Sequence, residues 1–150
     1  MKKQSFLWIS SITLAMLFVI SCESVFPDDR LDNFWKLDRI SYLDSDGSGT
    51  PVSVNDTVSG VFWGFAAHLV QIEKHSIGMD VYGVTVDEGD SLKIDFSGFN
   101  GPCGQDKQAL QSNLRLCGVD SLVSRFCVTY PDRNSMVLSG KKTRLNFVKW

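Results

Sequence analysis

Apolar and polar residues alternate along most of the chain beyond residue 33. The cleanest stretch is 91–99, where Leu92, Ile94 and Phe96 fall on one face and Lys93, Asp95 and Ser97 on the other. Strict period-two patterning predicts a half-buried antiparallel strand. Similar apolar runs occupy 34–43, 57–63, 66–74, 79–86, 124–130, 135–140 and 143–150. Between them lie turn-forming stretches: 44–49 (Asp-Ser-Asp-Gly-Ser-Gly), Gly64, 87–90, 131–134 and 140–142. These residues reverse the chain at low steric cost. One segment changes period. Ala109, Leu110, Leu114 and Cys117 fall at helical spacing, with Asp106 suited to the N-cap and Gly118 to the position just past the C-terminus. The pattern therefore predicts an all-β, mainly antiparallel fold of about eight strands, with one short helix before the last three. A barrel is preferred to a sandwich, because eight antiparallel strands can close and leave no edge.

The start of the chain follows different rules. Lys2 and Lys3 precede an apolar run over 6–20 broken only by Ser and Thr, which ends in Val19-Ile20-Ser21-Cys22. A charged start, an apolar middle and a small residue before the cut make a secretory signal peptide over 1–21. The run falls short of the ~18–20 residues that span a bilayer. Cys22 after the small residue resembles a bacterial lipobox, which implies lipidation of Cys22 as the first mature residue. Residues 22–32 then read as a polar, lipidated tether and 33–150 as the barrel domain. The acidic start of the tether resembles the surface-export signal of Bacteroidetes lipoproteins. The expected location is the cell envelope, lipid-anchored at the outer membrane, on either its periplasmic face or the cell surface.

A family resemblance adds to this. Phe34-Trp35-Lys36-Leu37 resembles the opening Trp of lipocalin-like barrels. Residues 62–72 carry Phe65-Ala66-Ala67-His68-Leu69-Val70-Gln71-Ile72, similar to a run in small Bacteroidetes lipoproteins of unknown function. The tail, with Phe126-Cys127-Val128, Met136-Val137-Leu138 and Leu145-Asn146-Phe147-Val148-Lys149, is similar too. The resemblance implies a lipocalin- or calycin-like barrel. In that family the opening Trp packs on an Arg of the last strand, which makes Arg144 the implied partner of Trp35. The Gly that precedes the lipocalin Trp by two residues is replaced here by Asn33.

Composition narrows the partners. Fifteen Lys and Arg face 17 Asp and Glu, with no basic stripe, so nucleic acid is not expected as a partner. The expected partners are the membrane, through the anchor, and a small hydrophobic ligand or an envelope protein. Aromatic residues are frequent, and they either fill the core or line an apolar pocket rimmed by polar groups. Tyr82, Phe96, Phe126, Phe147 and His68 are the candidate interior ligand contacts. Of the cysteines left after Cys22, Cys103 and Cys117 could close a loop worth about 3 kcal/mol. Cys127 reads as a wall or core thiol.

Asp44, Asp46 and Ser48 resemble half of a calcium loop, yet Asn55 stands where the bidentate Glu would be needed. Asp, Ser and Gly there also suit a plain turn. No cofactor is otherwise expected. No nucleophile elbow, phosphate loop or dinucleotide fingerprint is present in the sequence. A binding module is therefore expected rather than an enzyme. The alternatives are a surface hydrolase using His68 or the Asp44–Asp46 turn, or a calcium-dependent carbohydrate-interacting protein.

Overall fold

The computed structural model describes residues 30–44, 49–55, 58–98 and 106–150. Nine strands form one antiparallel sheet: β1 (Phe34–Leu43), β2 (Pro51–Asn55), β3 (Val61–Ala66), β4 (Leu69–Lys74), β5 (Met79–Asp87), β6 (Leu92–Asp95), β7 (Val123–Asp132), β8 (Ser135–Ser139) and β9 (Thr143–Lys149). Each strand from β3 to β9 pairs with the next, and β9 returns to pair with β1, so eight strands close into a barrel. β2 is an appendage. It pairs with the second half of β1, while Phe34, Trp35 and Lys36 in the first half pair with β3. A bulge at Asp38 separates the two halves. It shifts the inward parity from Trp35 and Leu37 to Ile40 and bends the strand between its two neighbours.

Closure gives the molecule two ends. The entering chain and the turns after β3, β5 and β7 lie at one, here called the entry end. The turns after β1, β4, β6 and β8 lie at the other. Helix α1 (Lys107–Arg115) crosses from β6 to β7 at that far end. The Asp106 carboxylate caps it by accepting from Gln108 N at 3.1 Å. Leu110 and Leu114 point from α1 into the barrel core, and Cys117 and Val119 follow them. Gly118 holds a left-handed φ of +83°, and a Cβ there would collide with Leu145 Cδ2.

The inward face is solidly filled. Trp35, Trp63, Phe96, Phe126, Met136 and Phe147 are each at most 2% exposed. Ring centroids of Trp63 and Phe147 lie 5.3 Å apart, edge to face. Phe96 lies over Gly83 of β5, where a Cβ would stand 2.8 Å from the ring, so glycine is needed for the close approach.

Several sequence expectations change. The sequence pattern marks no element over 51–55, where β2 forms; its five residues are all exposed and give no burial pattern to read. Gly64 does not break the chain. It lies inside β3 under the Phe34 ring, and the turn falls at Ala67–His68, with Ala67 at φ +52°. His68 is therefore an exposed turn residue rather than a wall residue. Tyr82 faces outward, because Val81, Gly83 and Thr85 take the inner positions of β5. Arg144 also faces outward, opposite Ser41, while Trp35 faces inward at the other end of β1, so the two do not meet. Leu31, assigned to the tether, is 3% exposed and belongs to the core. Cys127 is exposed on the outer face of β7. Cys117 is a buried, free thiol, and its expected partner Cys103 lies outside the described residues.

The two described cysteines should differ sharply in reactivity. Burial pushes the Cys117 thiol up to about 11, so almost no thiolate is present near neutrality. Alkylation of the native protein followed by peptide mapping is expected to mark Cys127 and leave Cys117 unmodified until the protein unfolds. Early modification of Cys117 would contradict this packing.

Candidate functional site

The site arises from a mismatch of strand lengths. β6 has four residues and β7 has ten, and their pairing runs only from Asp95–Val123 to Leu92–Phe126. Beyond Phe126, β7 continues toward the entry end with β8 on one side and no β6 on the other. A pocket of about 440 Å³ occupies this breach. Leu92, Val128 and Tyr130 line it, and the last two lie on the same face of β7 as the buried Phe126. Leu31 supplies a further apolar wall. The rim is polar: Arg30, Asp87, Asp90, Ser91 and Thr129.

Each wall is held by identifiable contacts. The Trp35 indole donates from Nε1 to Leu31 O at 3.2 Å, which pins the entering chain across the barrel mouth. Asn33 O accepts from Phe65 N at 3.0 Å, and Asp32 Oδ2 accepts from Ala67 N at 3.3 Å. The Tyr130 ring lies 6.3 Å from Trp35 on one side and has the Arg30 guanidinium 4.4 Å from its centroid on another. Trp35 thus meets an aromatic ring that itself carries an arginine from the start of the chain, and not an arginine of the last strand. Such a cation–π contact contributes about 0.5–1 kcal/mol at an exposed site.

The β5–β6 turn forms the opposite rim. Asp87 Oδ1 accepts from Gly89 N at 2.8 Å, and Glu88 N donates to Ser91 O at 2.9 Å. The Glu88 carboxylate accepts from Arg125 Nε at 2.7 Å and Nη2 at 3.3 Å, a two-pronged bond that ties this turn to β7 across β6. That bond holds Glu88 below the ordinary carboxylate range. Asp95 is lowered by bonds from Ser97, and Asp132 by bonds from Asn134 N and Ser135.

Carboxylates with depressed folded values add stability that is present above their unfolded values and is lost as pH falls through the folded ones. All three lie near the surface, so each effect is modest. Denaturant midpoints are therefore expected to hold from pH 7 to 5 and to fall below about pH 4. A midpoint still flat at pH 3 would contradict these contacts.

The sequence-predicted site residues distribute unevenly. Phe96, Phe126 and Phe147 are in the core, Tyr82 is outside the wall, and His68 is on the entry-end turn but does not line the pocket. Asp44 lies at the far end, where its N donates to Thr50 O and closes the β1–β2 turn. Asp44 and His68 thus sit at opposite ends and form no common cleft. Asp46, Ser48 and Cys22 lie outside the described residues. Among the described residues, no group of three His, Cys, Asp or Glu is placed to hold a metal. Sequence reasoning missed Leu31, Leu92, Val128 and Tyr130. A signal for two of them existed, since Val128 and Tyr130 share the period-two face of Phe126.

The sequence profile of a family described as a lipocalin-like domain matches residues 15–150. A crystal structure of a lipocalin-like protein from Bacteroides uniformis is similar, with a TM-score of 0.58 and 19% identity over 81% of this chain and 99% of that one. An uncharacterized protein from Bacteroides eggerthii has a TM-score of 0.54 and 22% identity over 79% of this chain and 98% of that one. At such identities the likeness is one of fold. No curated protein matches the chain.

Proposed function

The chain belongs to the lipocalin-like domain family, and from that premise we propose that it is a lipid-anchored envelope lipoprotein whose barrel mouth binds a small, largely apolar molecule with a polar head. Closed barrels of this kind serve as binding scaffolds, with ligands taken at the mouth or interior. The observation that carries the reading is the breach beside β7. It joins an apolar floor of Leu31, Leu92 and Val128 to a rim of Arg30, Asp87 and Asp90. A volume near 440 Å³ suits a small molecule. The filled interior points to the mouth as the place of binding. The lipobox around Cys22 supports anchoring at the outer membrane, with two or more acyl chains giving stable attachment.

An environment-sensitive hydrophobic dye should bind saturably, about one per chain. Val128→Trp, which fills the breach, should weaken binding at least about tenfold, equivalent to 1.4 kcal/mol. Tyr82→Ser, on the outer wall, should leave it unchanged. Absence of saturable binding, or a Val128→Trp variant that binds as the parent does, sinks the reading.

A further inference from the structure

A second breach flanks β7, at its opposite end and on its opposite side. Val123–Phe126 pair with β6, whereas pairing with β8 begins only at Cys127, opposite Ser139. β8 ends there, and the chain turns over 140–142 into β9. The β8 side of the first four β7 residues therefore has no strand beside it. A strand edge without a neighbour keeps backbone donors and acceptors available. A cleft of about 440 Å³ fills this gap at the far end, with Gln111 and Arg115 of α1 as a further wall. It shares no lining residue with the mouth pocket.

The walls are held by contacts of their own. Gln111 Nε2 donates to Asp120 O at 3.1 Å, tying α1 to the segment that leads into β7. Gly140 N donates to Thr143 O at 2.8 Å and Leu43 N to Lys142 O at 2.8 Å, which fixes the β8–β9 turn. Gly140 also packs on the Phe126 ring, where a Cβ would stand 3.0 Å away.

Charge in the cleft runs against the rest of the chain, in which 15 Lys and Arg face 17 Asp and Glu. Arg115, Arg125, Lys141 and Lys142 all line it, and Asp120 is the one carboxylate among its described lining residues. Arg125 is committed to Glu88 through Nε and Nη2. Arg115, Lys141 and Lys142 form no ion pair among the described residues. Like charges gathered around one cleft repel, and an anion bound between them removes that cost.

The 120–124 segment brings the complementary groups. Ser121 Oγ donates to Val123 O, and Ser124 Oγ donates to Ser121 O at 3.1 Å. With their hydrogens given to backbone oxygens, both hydroxyls remain as acceptors, as does the Asp120 carboxylate. Such acceptors suit the hydroxyl groups of a ligand and repel its anionic end, which the lysines and Arg115 attract. We infer that this cleft is a second ligand site, built for a small phosphate or sulfate ester on a hydroxylated body.

Titration calorimetry of the full chain with glucose-6-phosphate and glucose-6-sulfate tests the site and tells the two esters apart. At least one ester should bind saturably, one per chain, more tightly than glucose or inorganic phosphate, and more weakly as salt rises. Lys141→Gln combined with Lys142→Gln, both exposed, should weaken binding at least about tenfold without shifting the unfolding midpoint. Arg133→Gln, which removes an exposed cation outside the cleft, should leave the ester affinity unchanged. Val128→Trp, which fills the mouth pocket, should leave it unchanged too, while the double lysine variant keeps dye binding at the mouth. No saturable binding of either ester overturns the inference, as does binding of plain glucose with equal affinity. Equal losses from Arg133→Gln and the lysine pair overturn it as well, because net charge and not the cleft would then account for the affinity.

Discussion

Replacing Trp63 by alanine is expected to cost about 3–5 kcal/mol of stability, the range found for emptying a large aromatic site in a core. Trp63 is fully buried on β3 and meets Phe147 of β9 at 5.3 Å and Phe65 at 6.1 Å, so its ring is packed among the aromatic residues of the barrel interior. The neighbours that would have to collapse into the void are held by strand pairing on both sides. A closed barrel cannot shrink without breaking that pairing. Trp63→Phe is expected to behave differently. Nε1 of Trp63 is buried without an acceptor among the described residues, and an unmet buried donor costs about 1–3 kcal/mol. Phenylalanine removes that donor while keeping most of the contact, so its net cost should stay below about 2 kcal/mol. Denaturant midpoints of the two variants check the pair. A phenylalanine variant as destabilised as the alanine one would contradict this, because the ring it keeps would then contribute nothing.

Gly118→Ala is the second large effect, expected to cost about 2–4 kcal/mol. Two causes add. A residue with a Cβ resists the left-handed conformation that Gly118 holds at φ +83°. The new methyl would also meet Leu145 Cδ2, with Ile40 side-chain carbons at 3.4 Å. Neither neighbour can yield easily, since both are fully buried. The carbonyl of Gly118 further accepts from the buried Thr143 Oγ1 at 2.8 Å, which locks the helix exit onto β9. Thermal unfolding should show a fall on the order of 10 °C. Gly89→Ala serves as the contrast, because it shares the positive φ, at +90°, but nothing lies within 4 Å of its Cβ position. It should show the backbone cost without the collision.

Much of the barrel was legible along the chain, and the reason is local. In a strand, alternate residues must face opposite sides, so Leu92, Ile94 and Phe96 declare an inner face before any fold is known. The short helix declares itself through Asp106, Leu110, Leu114 and Gly118, since capping and helical spacing are both local demands. The same logic should have placed Arg144 outside, because it alternates with Leu145 and Phe147. The resemblance to lipocalins drew it inward instead.

Tyr82 was harder. In β5 both faces carry apolar residues, with Met79 and Val81 on one and Val84 and Val86 on the other. The choice between them depends on Gly83 making room for Phe96 from the next strand, which is a contact and not a pattern.

The pocket belongs to a third level. Period and turn chemistry dictate that strands form and which side of each faces in, because those preferences act within a few residues. How far β6 runs beside β7, and that Leu31 folds back under Trp35 while Arg30 lies on Tyr130, depend on which segments meet after closure. Those meetings join residues up to about 100 positions apart (Arg30 and Tyr130 at the extreme), and they are set by the space the packed barrel leaves at its mouth.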